Sequence, residues 1–159
     1  MTGTSETMFS PNAAMTRGMM ATILYRHAGS PAASAADFND VAAGTWYANA
    51  VAWAAANGIM TGYGDGVFGP NDNITREQLA ATLTRYMEAQ GTTPPTTREL
   101  VPFADADAIS DWAVGAIQTL YKLGIITGVG TGEIVINPQG EATRAQAAAM
   151  LMRFMEATK

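Results

Sequence analysis

The sequence predicts an all-α fold, and three observations predict it. Apolar residues recur at helical spacing in five stretches, from about Arg17, Thr45, Arg76, Ser110 and Arg144. Glycine and proline clusters between these stretches end each helix and leave room for one short extended piece at most. The chain also repeats itself, so whatever holds for one stretch holds for its copies.

The repeat is read by shifting the chain along itself. A shift of 59 residues places Thr2-Gly3 on Thr61-Gly62, Phe9 on Phe68, Pro11-Asn12 on Pro70-Asn71 and Thr16-Arg17 on Thr75-Arg76. A shift of 68 carries Pro70 to Pro138, Thr75-Arg76 to Thr143-Arg144 and Leu83 to Leu151. Further upstream, Phe38 and Asp40 match Phe103 and Asp105, Trp46 matches Trp112, and Gly58-Ile59 matches Gly124-Ile125. One unit is therefore Phe-x-Asp, a tryptophan-led front helix, Gly-Ile-x-Thr-Gly, a glycine-rich turn, a proline, and a Thr-Arg back helix.

The elements follow in order. The first back helix carries the stripe Met20, Ile23, Leu24 and His27, and a structural histidine is expected there. The second front helix spans about Thr45 to Asn57, with Ala50, Trp53, Ala54 and Asn57 on or near one stripe and Trp53 in the core. The second back helix buries Leu79, Leu83, Tyr86 and Met87. The third front helix starts at Ser110, a candidate N-cap, and presents Val114, Ile117, Leu120 and Tyr121. The third back helix buries Ala147, Leu151, Phe154 and Met155. Gly58 and Gly124 stand where a left-handed C-cap is expected. The surface connectors Gly29-Ser30-Pro31 and Gly91-Thr92-Thr93-Pro94-Pro95 separate the units. They give residues 1–29, 30–90 and 91–159 as the three repeats, all within one compact domain because a unit of this size exposes too much apolar face alone. The first repeat lacks a front helix. The chain is expected to be the trimmed end of a longer protein, or else a helix from another chain completes the repeat.

Each back helix opens on the same short motif. Thr75 and Thr143 have glutamine three residues on, Gln78 and Gln146, in the capping-box arrangement; Thr16 has Met19 there instead. Arg17, Arg76 and Arg144 then fall at the first helical position, where the helix dipole disfavours a cation by roughly a few tenths of a kcal/mol. Three arginines at one disfavoured position need another use. Either each holds an anion beside the unpaired N–H groups of the helix start, or each pairs with a carboxylate of the next unit such as Asp40 or Asp105.

Composition removes several function classes. There is no cysteine, so disulfides and thiolate metal sites are absent, and no apolar run reaches the length of a membrane span. The net charge of −5 argues against nucleic acid and anionic membranes as partners. One histidine and no defined carboxylate pair argue against an enzyme. No cofactor or metal is implied, since Asp65 in its glycine-rich turn lacks further ligands at cation-loop spacing. Arg26, Arg85 and Arg153, near the ends of the back helices, suit the dipole there and read as structural.

These motifs resemble the S-layer homology (SLH) family of bacterial surface proteins. The resemblance runs through Phe38-Asn39-Asp40, Trp46, Gly58-Ile59-Met60-Thr61-Gly62, Gly64-Asp65-Gly66-Val67-Phe68, Pro70 and Ile74-Thr75-Arg76-Glu77-Gln78. It continues through Phe103-Ala104-Asp105, Trp112, Gly124-Ile125-Ile126-Thr127-Gly128, Pro138 and Thr143-Arg144-Ala145-Gln146. It implies three helix-loop-helix repeats folded as a helical pseudo-trimer, the first without its front helix. It also implies a non-catalytic module outside the cell, in the bacterial cell wall or S-layer, with any signal peptide upstream in a longer protein. The partner implied is secondary cell-wall polysaccharide, commonly bearing a pyruvate ketal, bound in grooves between repeats. Carried over to this chain, the ligand-binding candidates are Arg76, Arg144 and Arg17 with Thr75, Thr143, Thr16, Gln78 and Gln146. Trp46 and Trp112 join them as possible stacking platforms, their alternative being the seam between units. The family's glutamate is replaced by Met19, Gln78 and Gln146, and the glycine-rich turn is altered in the first and third repeats, so equivalent grooves are not expected. The alternative function is a protein–protein assembly module that self-associates through the incomplete first repeat.

Overall fold

A computed structural model describes residues 1–35 and 37–159. Among them are five α-helices: α1 (Arg17–His27), α2 (Ala48–Ala56), α3 (Arg76–Ala89), α4 (Val114–Lys122) and α5 (Arg144–Ala157). Among the described residues, β-pairing is confined to isolated bridges such as Thr16 with Asn73 and Thr75 with Glu141. The fold is all-α, and no described helix is long and apolar enough to cross a membrane.

The chain forms two compact units, one of residues 15–73 with Met1, the other of residues 2–14 with 74–159. These do not follow the repeat boundaries, because a back helix packs on the front helix of the following repeat: α1 on α2, and α3 on α4. In the first unit Met20, Ala21 and Leu24 of α1 are buried, as is every residue of α2 from Ala50 to Ala54, beside buried Ile59, Met60 and Phe68. Gly18 faces this packing closely. A Cβ there would come within 2.8 Å of the Pro70 carbonyl oxygen and 3.4 Å of the Tyr47 ring. In the second unit Leu79, Leu83 and Tyr86 of α3 are buried, as are Ile117 and Leu120 of α4 and Leu151 and Phe154 of α5. Tyr86 stacks on Phe154 with ring centroids 5.9 Å apart.

The helix ends follow the sequence closely. Gly58 and Gly124 close α2 and α4 with φ of 66° and 76°, a region that costs glycine nothing. Both front helices begin later than their spacing suggests. Residues 45–47 are a turn, held by the Thr45 hydroxyl donating to the Ala42 carbonyl at 2.9 Å. In the third repeat a 3₁₀ turn over Asp111–Ala113 precedes α4. Ser110 makes no side-chain cap; its hydroxyl instead donates to Glu77 Oε1 at 2.8 Å. His27, placed on the apolar stripe of α1, is exposed, because the last turn of α1 runs past the end of the packed face. Asn57 is exposed too and donates to the Trp53 carbonyl at 2.8 Å. Trp53 itself is buried core, as expected.

Candidate functional site

Each Thr-Arg motif builds the start of a helix. Thr16, Thr75 and Thr143 are the N-caps of α1, α3 and α5, with extended backbone and with side-chain oxygens accepting from Met19, Gln78 and Gln146 N–H. Full capping boxes form at Thr75–Gln78 and Thr143–Gln146, where the glutamine Oε1 accepts the threonine N–H at 3.2 Å in both.

The next two N–H groups of each helix are also satisfied, by the loop of the following repeat. Arg17 N–H donates to the Asp72 carbonyl and Gly18 N–H to Pro70; Arg76 N–H donates to Gly140 and Glu77 N–H to Pro138. Arg144 and Ala145 N–H donate to Ala13 and Pro11 of the first repeat. The expectation that the helix starts offer unpaired N–H groups to an anion is therefore corrected. Prolines placed a few residues before each Thr-Arg lead a carbonyl-bearing turn onto the preceding repeat's helix and use those donors.

The arginine side chains enter the same loops. Arg17, Arg76 and Arg144 are only 5%, 7% and 5% exposed. Arg17 donates through Nε to the Phe68 carbonyl at 3.0 Å and through Nη2 to Thr61 at 2.7 Å. Arg144 repeats both bonds, to Phe9 at 2.9 Å and to Thr2 at 2.6 Å. Arg76 makes only the first of them, Nε to Ile136 at 2.7 Å. Among the described residues no acceptor meets its two terminal nitrogens.

The surroundings differ in the same way. The Arg17 guanidinium lies over the Tyr63 and Phe68 rings, 4.5 and 4.8 Å from their centroids, and Arg144 lies 4.9 Å from that of Phe9. In the third repeat the positions of Tyr63 and Phe68 hold Val129 and Ile136, so the rings that Arg17 meets have no aromatic counterpart there. Burial pushes Arg17 below its ordinary pKa, while Tyr63, Asp72 and Asp40 pull the other way. Burial likewise lowers Arg76, with Asp105 opposing it. A guanidinium remains charged under such shifts, so Arg76 is a largely desolvated cation with donors to spare.

The aspartates act on the arginines indirectly. Asp40 accepts from Phe68 N–H at 2.9 Å and Gly69 N–H at 2.7 Å; Asp105 accepts from Ile136 N–H at 2.8 Å and Asn137 N–H at 2.6 Å. The carbonyls of Phe68 and Ile136 are those that receive the arginine Nε. Phe-x-Asp thus fixes the peptide that the Thr-Arg motif reads. The carboxylate-strut reading of the arginines is met by a relay through backbone rather than by direct pairing. Burial would raise the Asp40 carboxyl, but its bonds from the Phe68 and Gly69 N–H outweigh that and hold it below the ordinary 3.8.

Trp46 and Trp112 are 59% and 54% exposed, so neither is sealed in a seam. Trp112 lies with Arg85 and Glu88 along a groove whose lining includes none of Arg76, Thr75 and Gln78. The sequence reading missed Glu77. It is 3% exposed and accepts from Ser110 N–H, Ser110 hydroxyl and Gln139 Nε2 at 3.0, 2.8 and 2.8 Å. Its only sequence signal is a carboxylate in the first turn of a helix, which the dipole alone would explain.

Comparison with known proteins agrees with this organisation. The S-layer homology domain profile matches residues 37–80 and 102–148, more than half of the chain. An amylopullulanase of Thermoanaerobacterium thermosulfurigenes is 35% identical over 97% of this chain, which spans 8% of that relative. A surface-layer 125 kDa protein of Lysinibacillus sphaericus is 30% identical over 97% of the chain and 13% of its own length. A cellulosome-anchoring protein of Acetivibrio thermocellus is 28% identical over 94% of the chain and 34% of its own length. The chain thus covers a small part of each relative.

Proposed function

This chain belongs to the S-layer homology family, and from that premise we propose that it is a non-catalytic anchoring module that binds secondary cell-wall polysaccharide outside the cell. The relatives support the anchoring role by contrast with one another. They include enzymes, a surface-layer protein and a cellulosome-anchoring protein, and what they share with this chain is a segment of similar extent. The names of these relatives differ in what they describe, while the shared segment recurs in each.

The mechanism proposed is capture of an acidic sugar substituent, a pyruvate ketal carboxylate, by arginine. The observation that carries it is the uncommitted pair of terminal nitrogens on Arg76, beside an Nε already anchored to Ile136. A planar fork held at one end and poor in hydration suits a carboxylate. Thr75 and Gln78 fix the helix start that aims it. Arg17 and Arg144 occupy the equivalent positions, each with Nη2 already given to a carbonyl, so the three sites are ranked with Arg76 first. Thr16, Thr143 and Gln146 serve those two as Thr75 and Gln78 serve Arg76. Sites of unequal strength still add avidity on a repeating polymer.

The test is sedimentation with purified cell walls before and after mild acid removal of ketal groups. Binding that disappears after removal is expected; equal binding to both preparations would defeat the acidic-ligand reading.

A further inference from the structure

The first turn of α3 holds a buried carboxylate that the other back helices lack. Glu77 takes its donors from two segments: Ser110 N–H and hydroxyl ahead of α4, at 3.0 and 2.8 Å, and Gln139 Nε2 ahead of α5, at 2.8 Å. The repeat alignment puts Gly18 at this position in α1 and Ala145 in α5. The residues opposite change as well. Ser110 and Ala113 stand where the second repeat has Gly44 and Tyr47. The contact between a back helix and the next front helix is thus made in two different ways.

Where α1 meets α2, a ring lies on a glycine. Tyr47 is buried, and a Cβ built on Gly18 would stand 3.4 Å from its ring and 2.8 Å from the Pro70 carbonyl oxygen. A glutamate side chain has no room there, and Gly44 has no hydroxyl to offer it. Where α3 meets the third front helix, the small and fully buried Ala113 replaces the ring, and the bond from Ser110 to Glu77 closes the contact. The two arrangements exclude each other. Glu77 set against Gly44 and Tyr47 would meet a ring and lose its hydroxyl donor, and a buried carboxylate short of donors is costly. Gly18 set against Ala113 would leave a void.

We propose that these residues form a pairing key, by which α1 accepts the front helix of the second repeat, α3 accepts that of the third, and each refuses the other's. Repeats of similar sequence invite the exchange of equivalent helices, within one chain or between copies of it. Selectivity against such exchange needs a penalty on the wrong pair as well as a gain on the right one. Gly18 with Tyr47, and Glu77 with Ser110 and Ala113, supply both. The key concerns which helices pair, and it does not rest on the acidic-sugar reading of Arg76.

The test is a double-mutant cycle on the whole chain, read by thermal unfolding and by hydrogen exchange at the α4 amides from Ile117 to Tyr121. Ala113→Tyr and Glu77→Gly should each lower the melting temperature by about 5–10 °C and open α4 to exchange, while α2 stays protected. Glu77→Gly combined with Ala113→Tyr rebuilds the ring-on-glycine contact found between α1 and α2. The combined variant should melt above either single one and regain protection in α4. Should neither single variant fold, a combined variant that does fold supports the key equally well. Losses that simply add, or a combined variant no more stable than the weaker single one, would overturn the proposal.

Discussion

Asp40 and Arg17 show how two distant motifs come to act on one peptide group. The carboxylate holds the N–H of Gly69, and the guanidinium holds the Phe68 C=O of that same peptide group. Asp40→Ala should lower stability by about 1–2 kcal/mol, the worth of hydrogen bonds to a charged acceptor at a solvent-reached site, read from urea unfolding. The pH dependence has a definite sign. The folded carboxyl titrates below 3.8, so its contribution is complete above that value and disappears as pH falls through the lower folded value. Asp40→Asn should flatten the acid limb of the stability curve; an unchanged limb would remove Asp40 from the account. Arg17→Ala removes two donors, from a buried and a part-buried carbonyl, whereas Arg76→Ala removes one. The first should cost about 3 kcal/mol and the second visibly less, and equal losses would contradict the difference drawn between them. Sequence spacing singled out the three arginines as unusual. It could not tell them apart, because what separates them is the carbonyl and ring each one meets in the next repeat.

At the scale of the helix, the threonine caps were fully legible. A side-chain oxygen followed three residues later by glutamine is a local signal, and local signals survive folding. Thr75→Ala or Thr143→Ala should each lower stability by about 1 kcal/mol, measured by thermal or urea melts. A change near zero would mean that the loop carbonyls alone suffice to hold the helix start. The front helices were less legible. Their apolar spacing extends over Thr45 to Tyr47 and Asp111 to Ala113, yet those residues are turns. The tertiary bond from Ser110 to Glu77 claims the group that would have capped the helix, and no local pattern announces it. His27 illustrates the opposite limit, a position on the right stripe but past the end of the packing.

Across the whole molecule, the repeats are joined by a rule that the alignment reveals only in part. The arginine of the first repeat bonds the loop of the second, that of the second bonds the third, and that of the third bonds the first. The repeat itself and its all-α character were readable from the sequence, whereas the pairing of each back helix with the next front helix was not. Periodicity fixes which face is apolar and is silent on the partner. Residues 2–14, which hold no helix, consequently matter to α5: Ala13 and Pro11 accept the Arg144 and Ala145 N–H, and Phe9 and Thr2 accept the Arg144 side chain. Deleting residues 1–14 should speed hydrogen exchange at the first turn of α5 and leave α1 with α2 protected. Unchanged protection at Arg144 and Ala145 would show that the segment is dispensable. The central claim remains that Arg76, anchored at Nε and open at its other nitrogens, holds the acidic group of the wall polymer. Its most direct test is co-sedimentation of Arg76→Ala with untreated cell walls, at a temperature where its helical circular dichroism equals that of the parent chain. The bound fraction should fall to the background level or close to it; binding equal to that of the parent would contradict the claim.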